Sequence, residues 1–285
     1  MQFTQSRDVR AFYDLTRGAL LKDEAQNLVL LGNLILGIAA EDKSGWRDPA
    51  NWFMASVSSS GGLRLVALMT PPHNLTLYEV RPSDEALACL AEGLRQSGVA
   101  LPGVMAERSL AERFARTFSA DWHLVEEQRI YELKAVNPAV PLFGKLRPAC
   151  EDDLPFLPFW LAAFDADCFN RPISGLAEAA ERARAFIARQ SLYLLELDGV
   201  PVSMAEKARP LRAVCGVSHV YTPPFFRGGG YASACVAQLS GRILESGFSS
   251  CALYTNLANP VSNKIYQNIG YVPIADSSVI RFNSP

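Results

Sequence analysis

Residues 220–247 read VYTPPFFRGGGYASACVAQLSGRILESG. A β-type run, Gly216 to Thr222, meets two prolines, an arginine and three consecutive glycines, and then a stretch with helical apolar spacing. Strand, glycine loop and helix in that order are what an anion cradle needs. The first N–H groups of a helix lack carbonyl partners and sit at the positive end of its dipole, so a phosphate is welcome there. Glycine lets the backbone approach a pyrophosphate with no Cβ in the way. The same three glycines also suit a plain turn, and a glycine loop alone is a weak signal. Two familiar cradles are excluded: no Gly-Lys-Ser/Thr is present, and the spacing is not Gly-x-Gly-x-x-Gly with a ribose-binding acid about 20 residues on.

The hexapeptide Arg227-Gly228-Gly229-Gly230-Tyr231-Ala232 resembles motif A of the GNAT acyltransferases, Arg/Gln-x-x-Gly-x-Gly/Ala. A second segment, Asn259-Pro-Val-Ser-Asn263-Lys-Ile-Tyr266-Gln-Asn-Ile-Gly270-Tyr271, is similar to the family's later motif, where an Asn is followed seven residues on by Tyr and then by Gly-aromatic. The two lie in the family's order and at its usual separation. The resemblance is specific from Gly199 to Phe282, weaker from Leu146 to Asp198 and only suggestive before that.

The rest of the chain fits the same outline. Helical spacing covers Arg7 to Leu20 and Ala25 to Ile38, and strand-like runs cover Trp52 to Ser58, Leu63 to Met69 and Leu75 to Val80. Ser83 is suited to cap a helix reaching Ser97, with Asp84 and Glu85 in its first turn. Ala106 to Phe118 reads as helix and Val125 to Ala135 as strand. The segment 137–145 has the prolines and glycine of a linker. Beyond it, Leu176 to Gln190 is an amphipathic helix, and Ser191 to Leu197, Asp198-Gly199 and Val200 to Lys207 read as a hairpin. Leu211 to Thr222 is the strand that feeds the glycine loop.

The expected fold is therefore α/β, the GNAT acyl-CoA N-acyltransferase fold, in two tandem lobes with mixed, mostly antiparallel sheets. A lobe over 1–136, a linker over 137–145 and a GNAT acetyltransferase domain over 146–285 are expected. The stretch PPHNLTLYEV stands where the first lobe should carry its cradle, so that lobe reads as a degenerate copy or an unrelated α/β cap.

The resemblance implies acetyl-CoA as cofactor. It places the pyrophosphate on Arg227 and on the N–H groups of Gly228, Gly229, Gly230, Tyr231 and Ala232. It lays the pantetheine arm along Val220, Tyr221 and Thr222, as a peptide adds to a sheet edge, with Asn259 and Asn263 assisting. Tyr266 is the implied general acid for the departing thiol. The family's usual Glu, eleven residues ahead of the motif arginine, is Gly216 here. Glu196, Glu206 and His219 are the alternatives for a base. A turn with Asp165, Asp167, Phe169, Asn170 and Arg171 is read either as acceptor contact or as a solvated loop.

The implied reaction moves an acetyl group to a primary amine of a small molecule or peptide by direct attack in a ternary complex. A non-catalytic acyl-CoA sensor, or a transferase with another acyl donor, are the rivals. With 285 residues, 49% hydrophobic and 20% charged, the chain suits one large or two modest domains. A net charge of −2 argues against nucleic acid or an anionic membrane as partner. The apolar run Leu28 to Ala40, interrupted by Gly32, Asn33 and Gly37, is too short to span a bilayer, and the first residues lack a signal-peptide core. Six scattered cysteines and three histidines suggest no metal site, small core thiols and a cytoplasmic protein. A monomer or a homodimer is expected, pairing through Tyr271 to Phe282 being one route.

Overall fold

The computed structural model describes residues 1–39, 48–169 and 175–283. Its elements fall into one order, used twice. The first series is β1 (Gln2–Ser6), α1 (Val9–Leu20), α2 (Leu28–Ala39), β2 (Phe53–Ser59), β3 (Gly62–Met69), β4 (Leu75–Glu79), α3 (Asp84–Ser97), β5 (Gly103–Glu107), α4 (Arg108–Phe118) and β6 (Trp122–Leu133). The second is β7 (Lys145–Pro148), α5 (Leu157–Phe169), α6 (Leu176–Ala188), β8 (Leu192–Leu197), β9 (Val200–Ala208), β10 (Val214–Tyr221), α7 (Tyr231–Glu245), β11 (Ser250–Asn256), α8 (Pro260–Ile269) and β12 (Val272–Phe282).

Two compact units result, and they do not divide at the linker. One holds Met1–Ile130, Tyr254–Asn259 and Pro273–Pro285; the other holds Tyr131–Leu253 and Pro260–Val272. In the first, β1, β2, β3 and β4 run antiparallel in order, β5 joins β4 in parallel across α3, and β12 joins β5 antiparallel. The chain's last strand thus completes the first unit's sheet, although sequence reading put it with the second half. Ile280 and Phe282 are buried in that core, and the Phe282 ring lies 5.0 Å from Phe118 and 6.4 Å from Phe114. The stretch proposed as a route to dimer pairing has its β5-facing edge occupied within the chain.

The second unit repeats the pattern: β7, β8, β9 and β10 antiparallel, then β11 parallel to β10 across α7. The expected β8–β9 hairpin is present. Asp198 and Gly199 both take positive φ, 50° and 82°, the backbone a two-residue turn needs to match strand twist. Ser83 caps α3 through a hydrogen bond from the Ala86 N–H, as its position suggested.

Other elements shift for local reasons. Asp8 caps α1 by accepting from the N–H groups of Arg10 and Ala11, so the helix opens at Val9 rather than Arg7. Pro158 lies in the first turn of α5, where no intrahelical N–H is required, so it does not interrupt the helix. Asp165 and Asp167 therefore sit on a helix, not in a turn; Asn170 and Arg171 lie outside the described residues.

Candidate functional site

In the second unit β10 ends at Tyr221, a short 3₁₀ turn covers Pro224–Phe226, and α7 begins at Tyr231. Gly228 and Gly230 take φ of 84° and 78°, left-handed backbone that only glycine adopts without strain. Gly230 occupies the N-cap position and offers no side chain to the helix. Among the described residues nothing accepts from the N–H groups of Gly228, Gly229, Gly230, Tyr231, Ala232 or Ser233. No acidic residue stands in the first turn. The helix start thus offers N–H donors with a positive dipole behind them and, among the described residues, no acceptor for them.

The corresponding helix of the first unit differs at each of these points. The Ser83 hydroxyl caps α3, the Ser83 N–H donates to Glu79, and Asp84 and Glu85 fill the first turn. Its strand-to-helix connection is residues 80–83, not the PPHN stretch, which is the turn between β3 and β4.

Arg227 is bound rather than extended. Its Nη2 donates to Asp167 Oδ2 at 2.6 Å, its Nε to the Thr222 carbonyl at 2.9 Å, and its guanidinium lies over the Tyr221 ring. Both partners of the ion pair are about half exposed (51% and 49%), where such a pair contributes at most about 1 kcal/mol and yields to a stronger anion. Tyr231 is held by Phe143 from the linker, ring centroids 5.7 Å apart, and the Phe143 carbonyl accepts from Gln238 of α7. Beside the cradle a cleft of about 300 Å³ opens among Asn137, Val140, Pro141, Ser233, Asn268 and Ile269.

The strand before the cradle is frayed on both edges. Its ladder to β11 comprises Val214, Cys215 and Gly216 and goes no further. Its pairing to β9 jumps from Ser218↔Glu206 to Tyr221↔Met204, a bulge that leaves His219 and Val220 out of register. Thr222 is anchored by a 2.9 Å hydrogen bond between its hydroxyl and that of Ser203, which also donates to the Tyr221 carbonyl. The Tyr221 side chain is buried toward α5 against Trp160, so of this residue only the backbone is available to a ligand along the strand.

Tyr266, on α8, is buried between the rings of Tyr131 and Tyr271 at 6.3 and 5.9 Å. Its hydroxyl has no hydrogen-bond partner among the described residues. Burial, and secondarily the proximity of Cys168, drives its pKa well above the ordinary phenol value, so it stays protonated. Asn263 faces inward, its Oδ1 accepting from Tyr131 Oη at 3.0 Å. Asn259 ends the segment counted with the first unit, and its N–H donates to the Asn256 carbonyl.

Of the three carboxylate and histidine alternatives, Glu196 is taken by Arg147, which also grips Asp153 with two hydrogen bonds. Glu206 and His219 are brought together: His219 Nδ1 lies 2.8 Å from Glu206 Oε2, which also accepts from Ser218 Oγ at 2.6 Å. Burial alone would raise the Glu206 carboxyl; the His219 and Ser218 hydrogen bonds and the charge of Arg209 outweigh it and hold it below the ordinary range. This pairing, 13 residues apart, had no signal in the sequence beyond the two residue types. Cys215, Cys235 and Cys251 are core thiols pushed up to about 12 by burial, whereas Cys150 and Cys168 are exposed and so are not core residues.

Comparison with known proteins bears on the fold. Residues 204–279 match the family model described as FR47-like protein. A search of curated proteins found no match. Among solved structures the chain is similar to a GCN5-related N-acetyltransferase from Sphaerobacter thermophilus (15% identity, TM-score 0.62, covering 99% of this chain and 96% of that one). It is similar to an acetyltransferase of the GNAT family from Colwellia psychrerythraea (12%, TM-score 0.59, 100% of both chains). It is also similar to a tandem GNAT protein from the clavulanic acid biosynthesis pathway (13%, TM-score 0.57, 98% and 97%). The chain has the tandem GNAT acetyltransferase fold. Among the described residues no helix is long and apolar enough to cross a membrane.

Proposed function

We propose that this protein transfers an acyl group, acetyl in the first instance, from CoA to a primary amine by direct attack in a ternary complex. The observation that carries the reading is the uncapped, acid-free N-terminus of α7, set at the end of a strand whose ladder to β11 stops at Gly216. The residues fit the group. The N–H donors from Gly228 to Ser233, which have no acceptor among the described residues, would take the pyrophosphate, and Arg227 would exchange Asp167 for it. The unladdered backbone of Val220 and Thr222 would pair with the amides of the arm, and a backbone N–H there would polarise the thioester carbonyl. Asn263 remains a candidate for contacts to that arm.

Bound acetyl-CoA supplies an acyl thioester whose carbonyl carbon an amine can attack. Tyr266 offers an O–H to the departing sulfur. Its raised pKa suits hydrogen-bond donation better than outright proton transfer, a weaker form of the acid role that a phenol near 10 suggested. The first unit, with its α3 N-terminus capped by Ser83 and lined with acid, is read as a copy that binds no CoA. Gly216, in place of a carboxylate, favours the alternative of a sensor that binds acyl-CoA without turnover.

The test is thiol release from acetyl-CoA against a panel of primary amines, with the acetylated amine identified by mass spectrometry. Amine-dependent release supports the transferase. Binding with no release from any amine moves the assignment to the sensor.

A further inference from the structure

His219 has features that a packing histidine does not need. Its φ is +48°, left-handed backbone that is uncommon for any residue but glycine and that marks the bulge of β10. Its Nδ1 lies 2.8 Å from Glu206 Oε2 and 2.9 Å from Ser218 Oγ; the carboxylate can only accept and the hydroxyl already donates to it, so the hydrogen-bond network assigns the ring proton to Nδ1. That leaves the Nε2 lone pair open. The ring lies between Phe164 of α5 (4.9 Å) and Phe186 of α6 (5.0 Å), and its side chain keeps 23% of its surface exposed. The next residue is Val220, whose backbone is the proposed rest of the thioester carbonyl.

We propose that His219 is the general base of the transfer, taking the amine's proton on Nε2, and that Glu206 is the positioning residue that fixes its tautomer and ring. The inference rests on the acyl-transfer reading above. The amine nitrogen bonds to the thioester carbon as the C–S bond breaks; its proton goes to His219, and the departing thiolate, hydrogen-bonded by Tyr266, takes a proton from solvent. The imidazolium returns its proton to solvent, so amine and thioester give amide and thiol. The carboxylate missing at Gly216 is thereby replaced from the neighbouring strand. Phe164 and the buried Phe186 flank the ring, so an amine on an aromatic body is the acceptor to test first. The charged groups on the elements around His219 are Glu206 and Lys207 on β9, with Arg209 beyond them, Asp165 and Asp167 on α5, and Glu178, Glu181, Arg182 and Arg184 on α6, with Arg189 just past its end.

The experiment uses the full chain, with acetyl-CoA binding followed by calorimetry and thiol release followed across pH, in water alone and with 2-phenylethylamine. Asn and Gly both tolerate left-handed backbone, so His219→Asn and His219→Gly are the variants to use. The expected result is unchanged acetyl-CoA affinity, at least a 30-fold loss of turnover and loss of the rising pH limb. Added imidazole should restore part of the activity of His219→Gly. Glu206→Gln should cost about tenfold in turnover with acetyl-CoA affinity unchanged, since the ring loses the carboxylate that fixes its tautomer. Turnover by His219→Asn within twofold of wild type, with the limb intact, overturns the proposal. So does a wild type that binds acetyl-CoA yet releases no thiol to either acceptor. Failure of wild type to bind acetyl-CoA overturns the acyl-transfer reading itself.

Discussion

Tyr266 carries a buried phenol with aromatic rings on two sides and, among the described residues, no acceptor for its proton. A residue serving only to pack α8 would do as well without the oxygen. Tyr266→Phe should therefore fold normally, bind acetyl-CoA within twofold of wild type, and lose about 10- to 100-fold in turnover; loss of binding with turnover per bound complex unchanged would refute the role. Asp153 shows the opposite economy, a carboxylate fully spent on structure. Burial raises it, but two hydrogen bonds from Arg147 and one from the Cys150 N–H prevail and leave it below the ordinary aspartate value. A carboxyl so lowered stabilises the fold above its unfolded pKa and loses that contribution as pH falls through the folded one. Asp153→Asn should cost about 3 kcal/mol near neutrality. The gap to wild type, read from urea unfolding, should narrow below about pH 4; a gap independent of pH would contradict it.

At the scale of elements, the two strand-to-helix connections share a place in the topology and diverge in chemistry. One helix start is capped by its own serine and lined with acid, the other is bare. Each helix start was legible in the sequence by itself, because caps and glycine loops act over a few neighbouring residues: Ser83, Asp84 and Glu85 in one, Gly228 to Gly230 in the other; that the two share a place in the topology was not, since PPHN was set opposite the glycine loop. The His219–Glu206 pair was not legible, because it depends on a bulge that no residue type announces. Nor was the placement of β12, since its strand pattern suits either sheet. Once there, β12 comes so near β5 that a Cβ on Gly103 would collide with the Ile280 carbonyl oxygen. Gly103→Ala should lower stability by about 1–3 kcal/mol, seen as a reduced melting temperature; an unchanged melt would show that the strands can part at no cost.

At the scale of the molecule, the two compact units do not divide at the linker. The first unit draws Ile280 and Phe282 from the far end of the chain into its core, and Arg129 binds Asp276 on the same strand through two hydrogen bonds. A fragment of residues 1–136 should therefore fail to give a cooperative melt, and should regain one when residues 272–283 are supplied in trans or fused. A stable fragment without them would show the strand to be dispensable.

The central claim is that the N-terminus of α7 is an acyl-CoA cradle. Calorimetric titration of acetyl-CoA into wild type and Ala232→Asp tests it most directly. Aspartate in the first turn of a helix favours the fold, yet sets a carboxylate where the pyrophosphate would rest. The expected result is one acetyl-CoA per chain for wild type and at least tenfold weaker binding for Ala232→Asp, with equal melting temperatures. Equal binding by both proteins, or none by wild type, would contradict the account and leave the three glycines as a turn.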